Sequence, residues 1–142
     1  MWFSAKAEYA CVAMFELAAN FGDTQPVRVK TIATQHGIPQ RFLVQILLQL
    51  KSAGLVASTR GASGGYQLTR PPEEISIAGI INTIDPQPTR PPASHTRRSP
   101  ALQAVRGIWQ ELQAEEQRRL EELSLADLVH RAQLPHALSY QI

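Results

Sequence analysis

Arg41 and Gln45 stand four residues apart in a stretch that also carries Gln40, Val44, Gln49 and Lys51 at helical spacing. Guanidinium and amide groups on one helical face donate and accept in fixed pairs, so they suit the recognition of a polar surface. One more cation, Arg60, follows in Thr59-Arg60-Gly61-Ala62-Ser63-Gly64-Gly65, a glycine-rich tip. No nucleophile–base pair, phosphate-cradling loop or pair of carboxylates accompanies these groups, so the pattern is one of binding, and no enzyme is expected. The run from Gly61 to Gly65 is not followed by a predicted helix, which excludes a dinucleotide fingerprint.

The elements that must position these groups lie between Val29 and Pro72. A first helix is predicted at about Lys30–Gln35, with Ile32 and Ala33 facing inward. His36-Gly37-Ile38 is a tight turn, because Gly37 tolerates a positive φ that other residues resist. A second helix begins near Pro39, where a missing N–H costs nothing. Its apolar residues Phe42, Leu43, Ile46, Leu47 and Leu50 recur at spacings of three and four and are expected to face the core. Gly54 stops it. Leu55–Ser58 and Tyr66–Thr69 alternate as two short strands around the glycine-rich tip. A helix-turn-helix followed by such a hairpin is a winged helix. Its second helix fits the major groove of DNA, and the tip arginine can reach the minor groove or a phosphate.

Composition bounds the rest. The chain has 142 residues, 44% of them hydrophobic, a net charge of +2 and one cysteine, Cys11. Met1 to Arg70 holds seven Lys/Arg against three Asp/Glu, so the positive excess of four sits with the helix-turn-helix. That asymmetry suits a phosphate backbone. No apolar run approaches the roughly 20 residues of a membrane span, and no basic flank leads into an apolar segment as in a secretory signal. A cytoplasmic protein with no membrane partner is expected. Cys11, alone, is read as a small buried hydrophobe.

Around the wing the chain reads in order. Ser4 caps a helix to about Asn20, with Ala10, Ala13, Met14, Leu17 and Ala18 inward and Phe21 closing its end. Val27-Arg28-Val29 is a possible strand beside the wing. Arg70-Pro71-Pro72 ends the hairpin, and Ser76 caps a helix over Ile77–Ile84. Residues 85 to 100, five of them proline, read as a linker in which Arg90, Arg97 and Arg98 are solvated. A long helix runs from about Ala101 to Glu122. Its face of Leu102, Val105, Ile108, Trp109 and Leu112, later joined by Leu120 and Leu123, needs a partner, expected to be a second copy with some packing on the first helix. Ser124-Leu125-Ala126-Asp127 resembles a capping box for a last helix through about Gln133. The expected division is a DNA-binding domain (1–84), a linker (85–100), dimerisation and short C-terminal helices (101–133) and a flexible tail (134–142). The fold class is mainly α with a small β-wing: a winged helix-turn-helix plus a long C-terminal dimerisation helix.

Four stretches carry a resemblance: Ser4-Ala5-Lys6 with Glu8-Tyr9-Ala10; Ile32-Ala33 through His36-Gly37-Ile38; Phe42-Leu43 with Gln45 and Leu50, continuing into Ala53-Gly54-Leu55-Val56; and Arg60-Gly61 with Gly64-Gly65-Tyr66-Gln67-Leu68 and Arg70-Pro71-Pro72-Glu73-Glu74-Ile75. Together they resemble the Rrf-two family of bacterial winged-helix transcriptional regulators. The resemblance implies a homodimeric repressor that binds an imperfect palindrome in double-stranded DNA, with the long helix as its dimerisation helix. It implies base contacts from Gln40, Arg41, Val44, Gln45 and Arg60, and a wing built on Gly61, Gly64, Gly65 and Tyr66. Arg41 suits guanine and Gln45 adenine, whereas Val44, where several relatives place a carboxylate, suits only a thymine methyl. Lys30, Thr31 and Lys51 are phosphate candidates.

Many members of that family hold an iron–sulfur cluster on three cysteines in the segment before the long helix. Residues 85 to 100 contain none, so no cofactor is expected. Glu8 and His36 match positions of non-cysteine ligands in some relatives, and with His95 they define a less favoured alternative, a metal or redox sensor. A small-molecule or protein effector is the expected signal. An alternative of another class, a winged helix that binds protein, would call for an apolar, acidic face in place of Arg41 and Gln45.

Overall fold

The computed structural model describes residues 3–86 and 99–134. In chain order the elements are α1 (Ala5–Ala19), α2 (Val29–His36), α3 (Gln40–Ser52), β1 (Val56–Thr59), β2 (Gly65–Leu68), a 3-10 turn at Pro72–Glu74, α4 (Ile77–Ile84), α5 (Pro100–Glu122) and α6 (Leu125–Ala132). The fold is mainly helical with a two-stranded wing, as the sequence implies.

Serines start four of these helices. Ser4, Ser76, Ser99 and Ser124 each accept the N–H three residues on, from Ala7, Gly79, Leu102 and Asp127, at 2.9–3.1 Å. Each satisfies a donor that the first helical turn leaves open. At α6 the box closes, because the Asp127 carboxylate accepts the Ser124 N–H at 2.8 Å. Those Ser124 bonds hold the Asp127 carboxyl below the ordinary carboxylate range. Their support is present above the ordinary value and fades as pH falls through the lowered one.

Two glycines end the helices of the central motif. Gly37 closes α2 at φ +65°, and Gly54 follows α3 at φ +78°. Beyond Gly54, the Leu55 N–H returns to the Leu50 carbonyl at 3.0 Å and the Gly54 N–H to Lys51 at 2.9 Å. This double closure is a Schellman motif. It commits the Leu55 N–H to the helix, so β1 begins one residue later than the alternation suggests.

The core forms where α1, α3, α4 and α6 meet. Ala7, Ala10, Ala13, Met14 and Leu17 of α1 pack with Leu43, Ile46, Leu47 and Leu50 of α3, Ile80 and Ile84 of α4, and Leu125. Small residues on α1 let the neighbouring helices approach closely, and the branched side chains fill the space between them. Phe42 and Phe21 depart from expectation, being exposed instead of inward. Phe42 flanks the α3 core stripe, about 90° from its centre at 3.6 residues per turn. Leu17, not Phe21, closes the end of α1.

In the wing, β1 pairs antiparallel with β2 in the register Val56↔Leu68 to Thr59↔Gly65. The expected third strand is a single bridge. Val27 and Tyr66 exchange both backbone bonds, at 2.9 and 2.8 Å. It extends no further because Pro26 has no N–H to give and α2 starts at Val29.

The root of α5 lies on α4 and not mainly on the first helix. Leu120 packs on Ala78 and Ile81, with Cys11 of α1 at the margin. The turn into α6 is stitched to the segment before α4. The Ile77 N–H donates to Leu123 at 2.8 Å, and the Leu125 N–H to Ile75 at 2.7 Å. Among the described residues, no helix is long and apolar enough to cross a membrane.

Candidate nucleic-acid interface

The two sides of α3 differ sharply. Leu43, Ile46, Leu47 and Leu50 are buried, while Gln40, Arg41, Val44, Gln45, Leu48 and Lys51 are exposed. At 3.6 residues per turn, Arg41, Gln45 and Leu48 lie about 150° or more from the centre of the buried stripe. Core burial thus fixes which side chains α3 turns outward. The Arg41 guanidinium sits 5.0 Å from the centroid of the exposed Phe42 ring. A cation over an aromatic face is attracted by the ring quadrupole, which restrains the arginine in the absence of any partner. Gln49 does not join this face. It is half-buried, and its side-chain oxygen has no hydrogen-bond partner in the structure.

The wing presents Arg60 in the open beside Gly61 at φ +108°. Two more glycines are required for steric reasons. A Cβ on Gly64 would collide with the Thr59 carbonyl, and one on Gly65 would lie 2.6 Å from the Val27 carbonyl carbon. Tyr66, half-buried, holds the wing to the body through Val27. Arg28 contributes a second tie that the sequence reading missed, because its Nη2 donates to the Ala62 carbonyl at the wing tip. No spacing rule signals it, because the two positions lie 34 residues apart. Lys30 and Thr31 are exposed in the first turn of α2, on the same stretch of chain as Arg28.

This geometry agrees with the comparisons to known proteins. A family model described as "Rrf2: Iron-dependent Transcriptional regulator" matches residues 3–131. The chain belongs to the Rrf2 (Rrf-two) family. A Mycobacterium tuberculosis protein provisionally named an HTH-type transcriptional regulator is 40% identical over 144 residues, covering 96% of this chain and 86% of the relative. Among solved structures, CymR (YrzC), the global cysteine regulator of Bacillus subtilis, superposes with a TM-score of 0.80 at 29% identity, covering 92% of this chain and 98% of that one. IscR of T. potens gives 0.77 at 31% identity, covering 99% and 96%. The Rrf2 protein described here is therefore a DNA-binding transcriptional regulator and not an enzyme.

Its residues do not fit the thiolate-held cluster that an iron-dependent member would use. The one thiol, Cys11, sits half-buried in α1. Burial, with a smaller contribution from the charge of Glu8, pushes its pKa up to about 11. It is thus a neutral thiol at physiological pH, and a single thiol cannot supply the several thiolates that such a cluster takes. Glu8 and His36 are not brought together either. His36 Nε2 lies 2.7 Å from Glu16 Oε1, with the ring edge-on to Phe15. Glu8 is two turns of α1 away from Glu16, roughly 12 Å along the axis. The pair ties the turn after α2 to the end of α1. Among the described residues, no three His, Cys, Asp or Glu side chains converge to hold a metal ion. His95, Arg90, Arg97 and Arg98 lie outside the described residues.

Proposed function

We propose that this Rrf2 protein is a homodimeric repressor that occupies an imperfect palindrome without a conventional iron–sulfur cluster. The observation that carries the reading is the outward face of α3, where Gln40, Arg41, Val44 and Gln45 stand clear of the core. In the major groove Arg41 bonds guanine O6 and N7, Gln45 bonds adenine N6 and N7, and Val44 meets a thymine methyl. Arg60 enters the adjoining minor groove, where a narrow A·T tract concentrates negative potential. Lys30, Thr31 and Lys51 contact phosphates and set the register.

The dimer is supported by α5. Val105, Ile108, Trp109 and Leu112 recur at spacings of three and four and are all exposed, Trp109 by 64%. A stripe of this kind on one helix is self-complementary about a two-fold axis. Leu102, half-buried, continues it toward the N-terminal end. Such a dimer places two copies of α3 on the half-sites of a palindrome. Repression follows from occupancy of promoter DNA, and a small-molecule or protein effector relieves it.

Two substitutions test the groove assignments. Arg60→Ala is expected to weaken operator binding about tenfold with no change in thermal unfolding, because the side chain is exposed. Unchanged affinity removes the wing from the mechanism. Arg41→Ala is expected to relax discrimination at one base pair per half-site, by about 1–3 kcal/mol. A uniform loss over all sequences, with a shallower salt dependence, makes Arg41 a phosphate contact. The function as a whole is tested by sequencing genomic fragments selected by the purified protein at near-physiological salt. A recovered palindrome supports the reading; an asymmetric site overturns the symmetric dimer on DNA.

A further inference from the structure

Leu48 has no role in the groove assignments above. It is 45% exposed on α3, while the core is filled by Leu43, Ile46, Leu47 and Leu50. Projected down the helix, it falls between Arg41 and Val44, about 150° from the centre of the buried stripe. Val44 is 36% exposed. The two side chains stand one turn apart on the outward surface, flanked by the polar Arg41 and Gln45. More than half of its surface is covered, and the remainder forgoes its transfer free energy while the chain is alone in water.

We propose that Val44 and Leu48 form an apolar pair that reads pyrimidine C5-methyl groups at two positions of each half-site. The inference rests on the major-groove reading of α3 and extends it by one residue and one position. Four residues of helix rise about 6 Å, and bases in a strand follow at about 3.4 Å, so the two methyls lie about two base steps apart. The occupant of this surface is the major-groove floor of duplex DNA. Leu48 is continuous with the side chains that enter the groove, and the C5-methyl is the apolar group exposed there. Thymine carries that methyl, and so does 5-methylcytosine; both present the same group to the pair.

The test uses the full chain and the duplex it selects from genomic fragments. Each thymine of a half-site is replaced in turn by deoxyuridine, which removes the methyl and leaves every hydrogen-bonding edge intact. Two positions about two steps apart are expected to lose about fourfold in affinity each, the worth of one buried methyl-sized group. Where the selected base is cytosine, 5-methylcytosine is expected to gain about the same factor, which distinguishes the two sources. Leu48→Ala is expected to bind the thymine and deoxyuridine duplexes alike at one of the two positions, and Val44→Ala at the other. Affinity within twofold at every deoxyuridine position, on a duplex that still binds specifically, overturns the methyl reading and leaves the regulator intact. Leu48→Ala that loses equally on both duplexes, or that loses self-association, assigns Leu48 to folding or to a second copy and overturns its role here. Because the deoxyuridine scan uses the unaltered protein, it stands even if a variant fails to fold. Selection of no specific duplex at all overturns the major-groove reading itself.

Discussion

Gly65→Ala will detach the wing from the body of the protein and lower stability by about 3 kcal/mol. The added Cβ would lie 2.6 Å from the Val27 carbonyl carbon and in collision with its oxygen. Neither neighbour is a flexible side chain, so the backbone itself must move. Relief by displacement breaks both Val27–Tyr66 bonds, at about 1 kcal/mol each. Strain at φ +155° adds a similar amount. Arg28 then loses its fixed acceptor at Ala62, and Arg60 is no longer held at a defined place. The same variant is therefore expected to lose operator affinity at least as strongly as Arg60→Ala. Urea unfolding reads the first effect and equilibrium binding the second. An unfolding midpoint equal to that of the parent chain would show that the bridge is not what seats the wing.

Trp109→Asp should produce a monomer. In the proposed dimer, Trp109 lies at the centre of the α5 seam, and two-fold symmetry counts each substitution twice. A carboxylate in a desolvated apolar seam and the loss of a tryptophan anchor together cost about 3 kcal/mol or more of association, roughly a hundredfold. The fold of each chain should persist, because Trp109 is exposed and the root of α5 is held elsewhere, by Leu120 on Ala78 and Ile81. Sedimentation velocity gives the answer, with helicity by circular dichroism as the control. Palindrome affinity should fall with it, while contacts within one half-site remain. A variant that still sediments as a dimer refutes the seam.

Much of this architecture is legible in the residues because it is enforced locally. A serine three residues before an open N–H becomes a cap at Ser4, Ser76 and Ser124, whereas Ser99, read as part of the linker, starts α5. Gly37 and Gly54 mark helix ends because only glycine takes those φ values cheaply. The polar face of α3 follows from periodicity alone. Features set by neighbours were not legible. Phe42 falls at the flank of the apolar stripe, where spacing alone does not decide whether a side chain is covered, and it stays exposed. Gln49 has the spacing of the outward face but is half-buried, with its side-chain oxygen out of reach of solvent. The Arg28–Ala62 bond joins positions far apart in sequence. The landing of α5 on α4 depends on the turn at Leu123–Leu125, whose path no periodicity encodes. His36 matched a ligand position by sequence, yet packing gives it Glu16, a residue no spacing rule connects to it.

The stitch of Ile75 and Ile77 to Leu125 and Leu123 turns α5 into a lever. Its 23 residues make an arm of about 34 Å. The arm is anchored at one end by two backbone bonds and by Leu120, and the proposed seam lies toward the other end. A rotation of about 5° at the root carries the far end through roughly 3 Å, close to the rise of one base pair. Half-site spacing would then be gauged by that anchorage. In the proposed dimer, loosening one or two of its contacts would change the spacing spanned without touching any residue of the proposed DNA face.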